Sequence, residues 1–145
     1  MLGQIPDQQG RILVINVPAP GIGFDWQYGM PVRTRWRVRS VQATLTTSVV
    51  VADRIPELFL AIGAEEVIRI TASQLLAGGG AFIFGWMEGE RALAIAGQTS
   101  RVTALPRGYL INNQGAIGVH TVALDVGDDW TNIIIVVEEW IEPLQ

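Results

Sequence analysis

The chain of 145 residues contains no cysteine, a single histidine and no lysine, since all ten of its basic residues are arginine. Each absence closes a route. Without cysteine there is neither a disulfide nor thiolate chemistry, so stability has to come from packing and association. The missing lysines exclude Schiff-base and lysine-nucleophile mechanisms. One histidine with no cysteine cannot assemble a conventional zinc site. Charge of any sign is scarce too, at 17% of residues. With a net charge of −4 and a pI near 4.9, nonspecific binding to nucleic acid has no global electrostatic support. Long apolar runs are also missing. Ala81 to Met87 and Asn132 to Val137 fall far short of the ~20 residues of a membrane-spanning helix. No basic segment followed by an apolar one opens the chain, so neither a membrane segment nor a cleaved secretory signal is expected.

What the sequence does have is apolar side chains, at 49% of residues. That is more than a thin two-layer fold readily hides, so part of the excess is expected in subunit interfaces. The length suits one domain, and no composition shift divides it. Residues 1–10 are polar and punctuated by glycine and proline, and are read as an extended N-terminal arm that docks on a neighbour. Residues 11–145 are read as the domain.

Period-two patterning dominates that domain. Arg33, Arg35, Arg37 and Arg39 alternate with Thr34, Trp36 and Val38, which makes one face of a strand a row of guanidinium groups. Beyond Ser40 the apolar set moves to Val41, Ala43 and Leu45. The phase slips by one residue, and a bulge or bend near Ser40 is expected. Further strands are expected at Arg11 to Val17, Ser48 to Val51, Leu58 to Ile62, Glu66 to Thr71, Ala81 to Met87, Arg91 to Ala96, Val102 to Leu105, Tyr109 to Asn112, Val119 to Val126 and Asn132 to Ile141. Turn signals such as Gly63-Ala64, Glu88-Gly89-Glu90 and Gly127-Asp128-Asp129 separate them, and only Thr71 to Ala77 reads as helical. The pattern is that of an all-β, antiparallel sandwich.

Catalytic constellations do not form. His120 has no G-x-S-x-G serine to activate and reads as a solvated or hydrogen-bonded strand histidine. Glu138 and Glu139 are neighbours on a strand, point to opposite faces and cannot flank one bond. Glu88 and Glu90 straddle a turn glycine, where both should be solvated. Asp125, Asp128 and Asp129 offer carboxylates for calcium, but the spacing fits no EF-hand loop and a β-turn is favoured. The glycine clusters at Gly21-Ile22-Gly23 and Gly78-Gly79-Gly80 lack the lysine of a phosphate loop. An enzyme is therefore not expected, and neither a cofactor nor a metal.

The residues assigned to interfaces are Trp26, Arg33, Arg35, Arg37, Trp130 and Trp140. Among the five tryptophans, Trp36 and Trp86 sit in apolar alternation and belong to the core, whereas Trp26, Trp130 and Trp140 are assigned as exposed anchors. The arginine row is expected to meet Glu65, Glu66, Glu88 or Glu90 rather than phosphate.

Two blocks of sequence carry a resemblance. Arg35-Trp36-Arg37-Val38, Ser40-Val41 and Thr44-Leu45-Thr46-Thr47 run into Val51-Ala52-Asp53-Arg54, and the chain closes with Gly127-Asp128-Asp129-Trp130 and Val137-Glu138-Glu139-Trp140. These blocks resemble small structural proteins encoded among the head genes of tailed bacteriophages, with the decoration or cement proteins of capsids foremost. The resemblance implies a virion protein on the capsid surface with a jelly-roll or related sandwich. It also implies a homo-oligomer, a trimer ahead of a dimer, whose partner is the major capsid protein; nucleic acid and membrane are not among its partners. The alternative is a tail, fibre or carbohydrate-binding module that uses Trp26, Trp130 or Trp140.

Overall fold

A computed structural model describes residues 10–72, 78–89, 93–94, 100–107, 110–112 and 114–141. Among the described residues eleven strands follow one another: β1 (Arg11–Val17), β2 (Gln27–Gly29), β3 (Thr34–Thr46), β4 (Ile55–Ile62), β5 (Glu65–Thr71), β6 (Ala81–Glu88), β7 (Leu93–Ala94), β8 (Ser100–Leu105), β9 (Leu110–Asn112), β10 (Ala116–Val122) and β11 (Asp129–Ile141). They form two sheets. The larger has seven strands in the order β1-β11-β3-β6-β8-β7, with β9 also pairing with β3, and the smaller has the order β2-β10-β4-β5. The expected sandwich is the observed architecture.

The core lies between the sheets because each long strand alternates. In β3, Thr34, Trp36 and Val38 face inward, and after the slip Val41, Ala43 and Leu45 take over that face. They meet Leu58, Leu60, Ile117 and Val119 of the smaller sheet, together with Trp86, Phe84, Trp130, Ile133, Ile135 and Val137 of their own. Aromatic rings add directional packing: Phe84 lies 6.0 Å from both Trp86 and Trp130, centroid to centroid.

The slip has a simple origin. Opposite β11, Val136 pairs with Ser40 and Val137 with Val38, so Arg39 is the extra residue of a β-bulge. One unpaired residue moves every later side chain of a period-two strand to the other parity, which restores apolar residues to the core.

Several expectations are corrected. The pairing is not wholly antiparallel: β6 and β8 run parallel from Ile83↔Ser100 to Glu88↔Leu105, a departure from the all-antiparallel order of a jelly roll. Ser48 to Val51 is a loop, with Val49 and Val51 almost fully exposed, and the strand at Val119 ends at Val122, where Ala123 takes a φ of 58°. The short β2 had no sequence signal. Thr71 closes β5, whereas residues 73–77, read as helical, lie outside the described residues, as do residues 1–9 of the arm.

Candidate assembly surface

Two members of the arginine row, Arg37 and Arg39, are paired within the chain. Arg37 donates through Nε to Glu88 Oε1 at 3.1 Å, and Arg39 through Nη1 to Glu88 Oε2 at 3.0 Å. Arg39 Nη2 also lies 3.3 Å from Glu138 Oε2. Both carboxylates are nearly covered, at 7% and 8% side-chain exposure, while the side chains of Arg37 and Arg39 stay 31% and 40% exposed. Ion pairing with Glu88 is thus the expected partnership. Its burial, however, overturns the expected solvation of that residue: β6 continues as far as Glu88 and sets the carboxylate beside the bulge at Arg39. Arg35 pairs in register with Trp140 on β11 and with Asn112 on β9. Arg33 precedes β3 at a φ of 61°. Arg37 and Arg39 thus have their charge balanced by carboxylates of their own chain.

Glu139 points the other way from Glu138, as alternation requires. Its Oε2 accepts the indole N–H of buried Trp36 at 2.8 Å, and its Oε1 accepts Arg11 Nε at 2.9 Å. Gly10 completes this corner by donating its backbone N–H to Glu138 Oε1 at 3.0 Å. An added Cβ at Gly10 would lie 2.7 Å from the Glu139 carbonyl oxygen, so only glycine permits the approach.

Two of the three tryptophans assigned as exposed anchors are core residues. Trp26 is 2% exposed and Trp130 0%. Asp25 explains the second, since its Oδ1 accepts Trp130 Nε1 at 3.1 Å and Thr121 Oγ1 at 2.6 Å. A ring whose N–H has an internal partner can be buried whole. Trp140 alone of the three stays partly exposed.

The feature with no sequence forecast lies at one end of the sandwich. Arg54, which precedes β4, is fully buried and grips fully buried Asp128 with two hydrogen bonds, Nε to Oδ2 at 2.9 Å and Nη2 to Oδ1 at 3.0 Å. Its Nη1 donates to the carbonyls of Val50 and Ala52 at 2.6 and 2.9 Å. Asp128 in turn accepts the backbone N–H of Ser48 at 2.7 Å and of Asp125 at 2.9 Å. Burial by itself pushes the Asp128 carboxyl up, but the Arg54 bonds and these two N–H groups outweigh it and hold it below the ordinary aspartate value. Asp125, lowered by the Ser48 hydroxyl and the Gly127 N–H, stays an anion beside it.

Three segments are thereby locked side by side. The loop after β3 is held through Ser48, Val50 and Ala52, the loop before β11 through Asp125 and Asp128, and the loop before β2 through Gly23, whose N–H donates to the Asp128 carbonyl at 2.7 Å. Gly23, at a φ of 83°, sits against Val126, where a Cβ would meet the Val126 carbonyl oxygen at 3.0 Å. These loops carry Val49, Val51, Val126, Ile22 and Phe24 outward, the first three more than 85% exposed and the last two more than 60%. Asp53 and Asp125 accompany them in the same loops. A rigid apolar end with carboxylates beside it has the composition of a protein-docking surface.

The remaining candidates have partners within the chain. Asp128 is spent on Arg54, Asp125 on Ser48, and the described residues contain no group of three or more metal-ligating side chains. His120 stacks on Phe59 at 4.6 Å and lies 2.6 Å from Glu66 Oε1 on the open face of the smaller sheet. Bonds first from Arg69 and then from His120 lower the Glu66 pKa, which keeps it an ion-pair partner. Residues of the two sequence blocks meet at two separate places in the fold, Trp36 on Glu139 and Arg54 on Asp128. No family model, no curated protein and no solved structure matches this chain.

Proposed function

We propose that this chain is a non-enzymatic structural protein of a phage virion, which decorates the capsid and stabilises it by bridging shell subunits as a homo-oligomer. The observation that carries the reading is the loop end locked by Arg54 and Asp128. Five exposed aliphatic or aromatic side chains on pinned loops lose little further freedom on docking, so the apolar area they bury turns into affinity with a small ordering cost. The carboxylates of Asp53 and Asp125 suit a shell depression with a basic rim and oppose an anionic lipid surface. A cement protein stabilises by mass action, since separating the shell subunits also requires breaking its contacts. The resemblance of the two sequence blocks supports the same reading. The carbohydrate alternative loses Trp26 and Trp130 as stacking platforms.

The test is re-addition to capsids stripped of the protein. Wild-type chain should rebind and raise the temperature at which the shell opens, whereas a Val49→Asp/Val51→Asp variant, folded to the same melting temperature, should lose most of its binding. Absence of any capsid binding by the wild type would overturn the function. Equal binding by both would move the contact away from this end.

A further inference from the structure

Among the described residues the two sheets end at β1, β7, β2 and β5, with the three-residue β9 forming a further short edge beside β3, and every edge but one is blunted. β7 and β2 have two and three residues, too short to template a partner strand. β5 carries Glu65, Glu66 and Arg69, with Arg69 held by Glu66 at 2.7 Å and by Glu57 at 3.2 Å, the charged dressing that keeps edges apart. β1 has none of these devices. It is seven residues long, pairs with β11 from Arg11↔Glu139 to Val17↔Ile133 without a register shift, and contains no proline. Its only charge is Arg11, at the end of the strand. No strand among the described residues covers its other edge, and Ile12 and Val14 are 57% and 64% exposed there.

We infer that β1 is a seam at which a second copy of this chain joins, the two β1 strands pairing antiparallel about a two-fold axis at Val14. The sequence of β1 is self-complementary in that register. Val14 meets its symmetry mate, Ile12 meets Asn16, Leu13 meets Ile15 and Arg11 meets Val17, so like charges are nowhere opposed and all seven residues pair. Opposed residues have the same parity, which places Ile12, Val14 and Asn16 of both copies on the open face and Leu13, Ile15 and Val17 of both on the core face. A shift by one residue would set the open face of one copy against the core face of the other. The half-buried Leu13 and Ile15 gain cover from their counterparts, and the unpaired backbone groups of both edges are satisfied. A two-fold seam closes at two copies, where the resemblance implies three. The inference rests on the homo-oligomer reading but not on capsid binding.

Sedimentation and single-cysteine cross-linking of the full chain test it, in a protein with no thiol of its own. Wild type should sediment above the mass of one chain, and Val14→Lys, which opposes two ammonium groups on the axis, should sediment as one chain with an unchanged circular dichroism spectrum. Under mild oxidation Val14→Cys should cross-link, because directly opposed strand residues lie within disulfide reach. Asn16→Cys should not, because its symmetry mate is roughly 14 Å away. A Val14→Lys variant that keeps its mass, or an Asn16→Cys variant that cross-links as well as Val14→Cys, overturns the seam and leaves self-association standing. A wild type that is a single chain yet binds stripped capsids overturns the seam together with self-association, and leaves the shell contact. Should Val14→Lys fail to fold, the two cysteine variants decide alone.

Discussion

Arg54 and Asp128 meet as a two-pronged ion pair from positions 74 residues apart, with neither side chain exposed to solvent. Geometry of this kind offsets the cost of taking two charges out of water only while every remaining donor and acceptor is used. Here the guanidinium spends Nη1 on two backbone carbonyls, and the carboxylate accepts two backbone N–H groups besides the arginine.

Removal of one partner should therefore be costly. Arg54→Met leaves a buried carboxylate without its cation and is expected to lower stability by about 3 to 5 kcal/mol in urea unfolding. Asp128→Asn keeps the shape and some hydrogen bonds, and should cost less than Arg54→Met. Near-wild-type stability of Arg54→Met would contradict the account of this loop end.

The same pair sets an acid limit. A carboxyl whose pKa is lower in the folded than in the unfolded chain contributes stability fully above its unfolded value, near 3.9, and loses it as pH falls through the folded value. Asp128, Asp125 and Glu66 are all lowered. Melting temperature should thus be insensitive to these groups at neutral pH and begin to drop below about pH 5. Asp128→Asn should drop less steeply over that range, as thermal melts at a series of pH values would show.

Trp130→Ala should unfold a large share of the molecules rather than ablate a binding surface. The ring is fully buried against Phe84, and truncating such a residue costs about 3 to 5 kcal/mol. Chemical denaturation with tryptophan fluorescence gives the measurement. Full stability would return Trp130 to the surface.

Around Glu88 the two directions of substitution should differ. Glu88→Gln releases two partly exposed guanidiniums into water and should cost about 1 kcal/mol. Arg37→Ala with Arg39→Ala takes two cations away from a nearly buried carboxylate and should cost more, about 2 to 3 kcal/mol. Urea midpoints of the two variants at equal salt compare them directly.

Periodicity made part of this legible. Alternation from Arg33 to Leu45, with its break at Ser40, foretold a bent strand, and the extra residue is Arg39. Alternation likewise sent Glu138 and Glu139 to opposite faces. What stayed illegible depends on partners far along the chain. Val49 to Val51 reads as a strand by β-branched content, but Arg54 captures the carbonyls of Val50 and Ala52 and turns the segment into a loop. Trp130 follows three turn-forming residues and reads as exposed until Asp25, 105 positions away, takes its N–H. The parallel pairing of β6 with β8 leaves no trace in either strand, because period two is the same for both orientations.

The placement of β11 has a consequence for how the molecule comes into being. It comes last among the described strands, yet it sits between β1 and β3 and joins them. Until Asp129–Ile141 docks, β1 has no neighbour on the side β11 fills and β3 lacks one of its two flanking strands. The larger sheet is therefore completed by pairings between segments more than a hundred positions apart, and the long loops must close before those pairings reward them, which places folding in the slow range of milliseconds to seconds typical of such non-local β topologies.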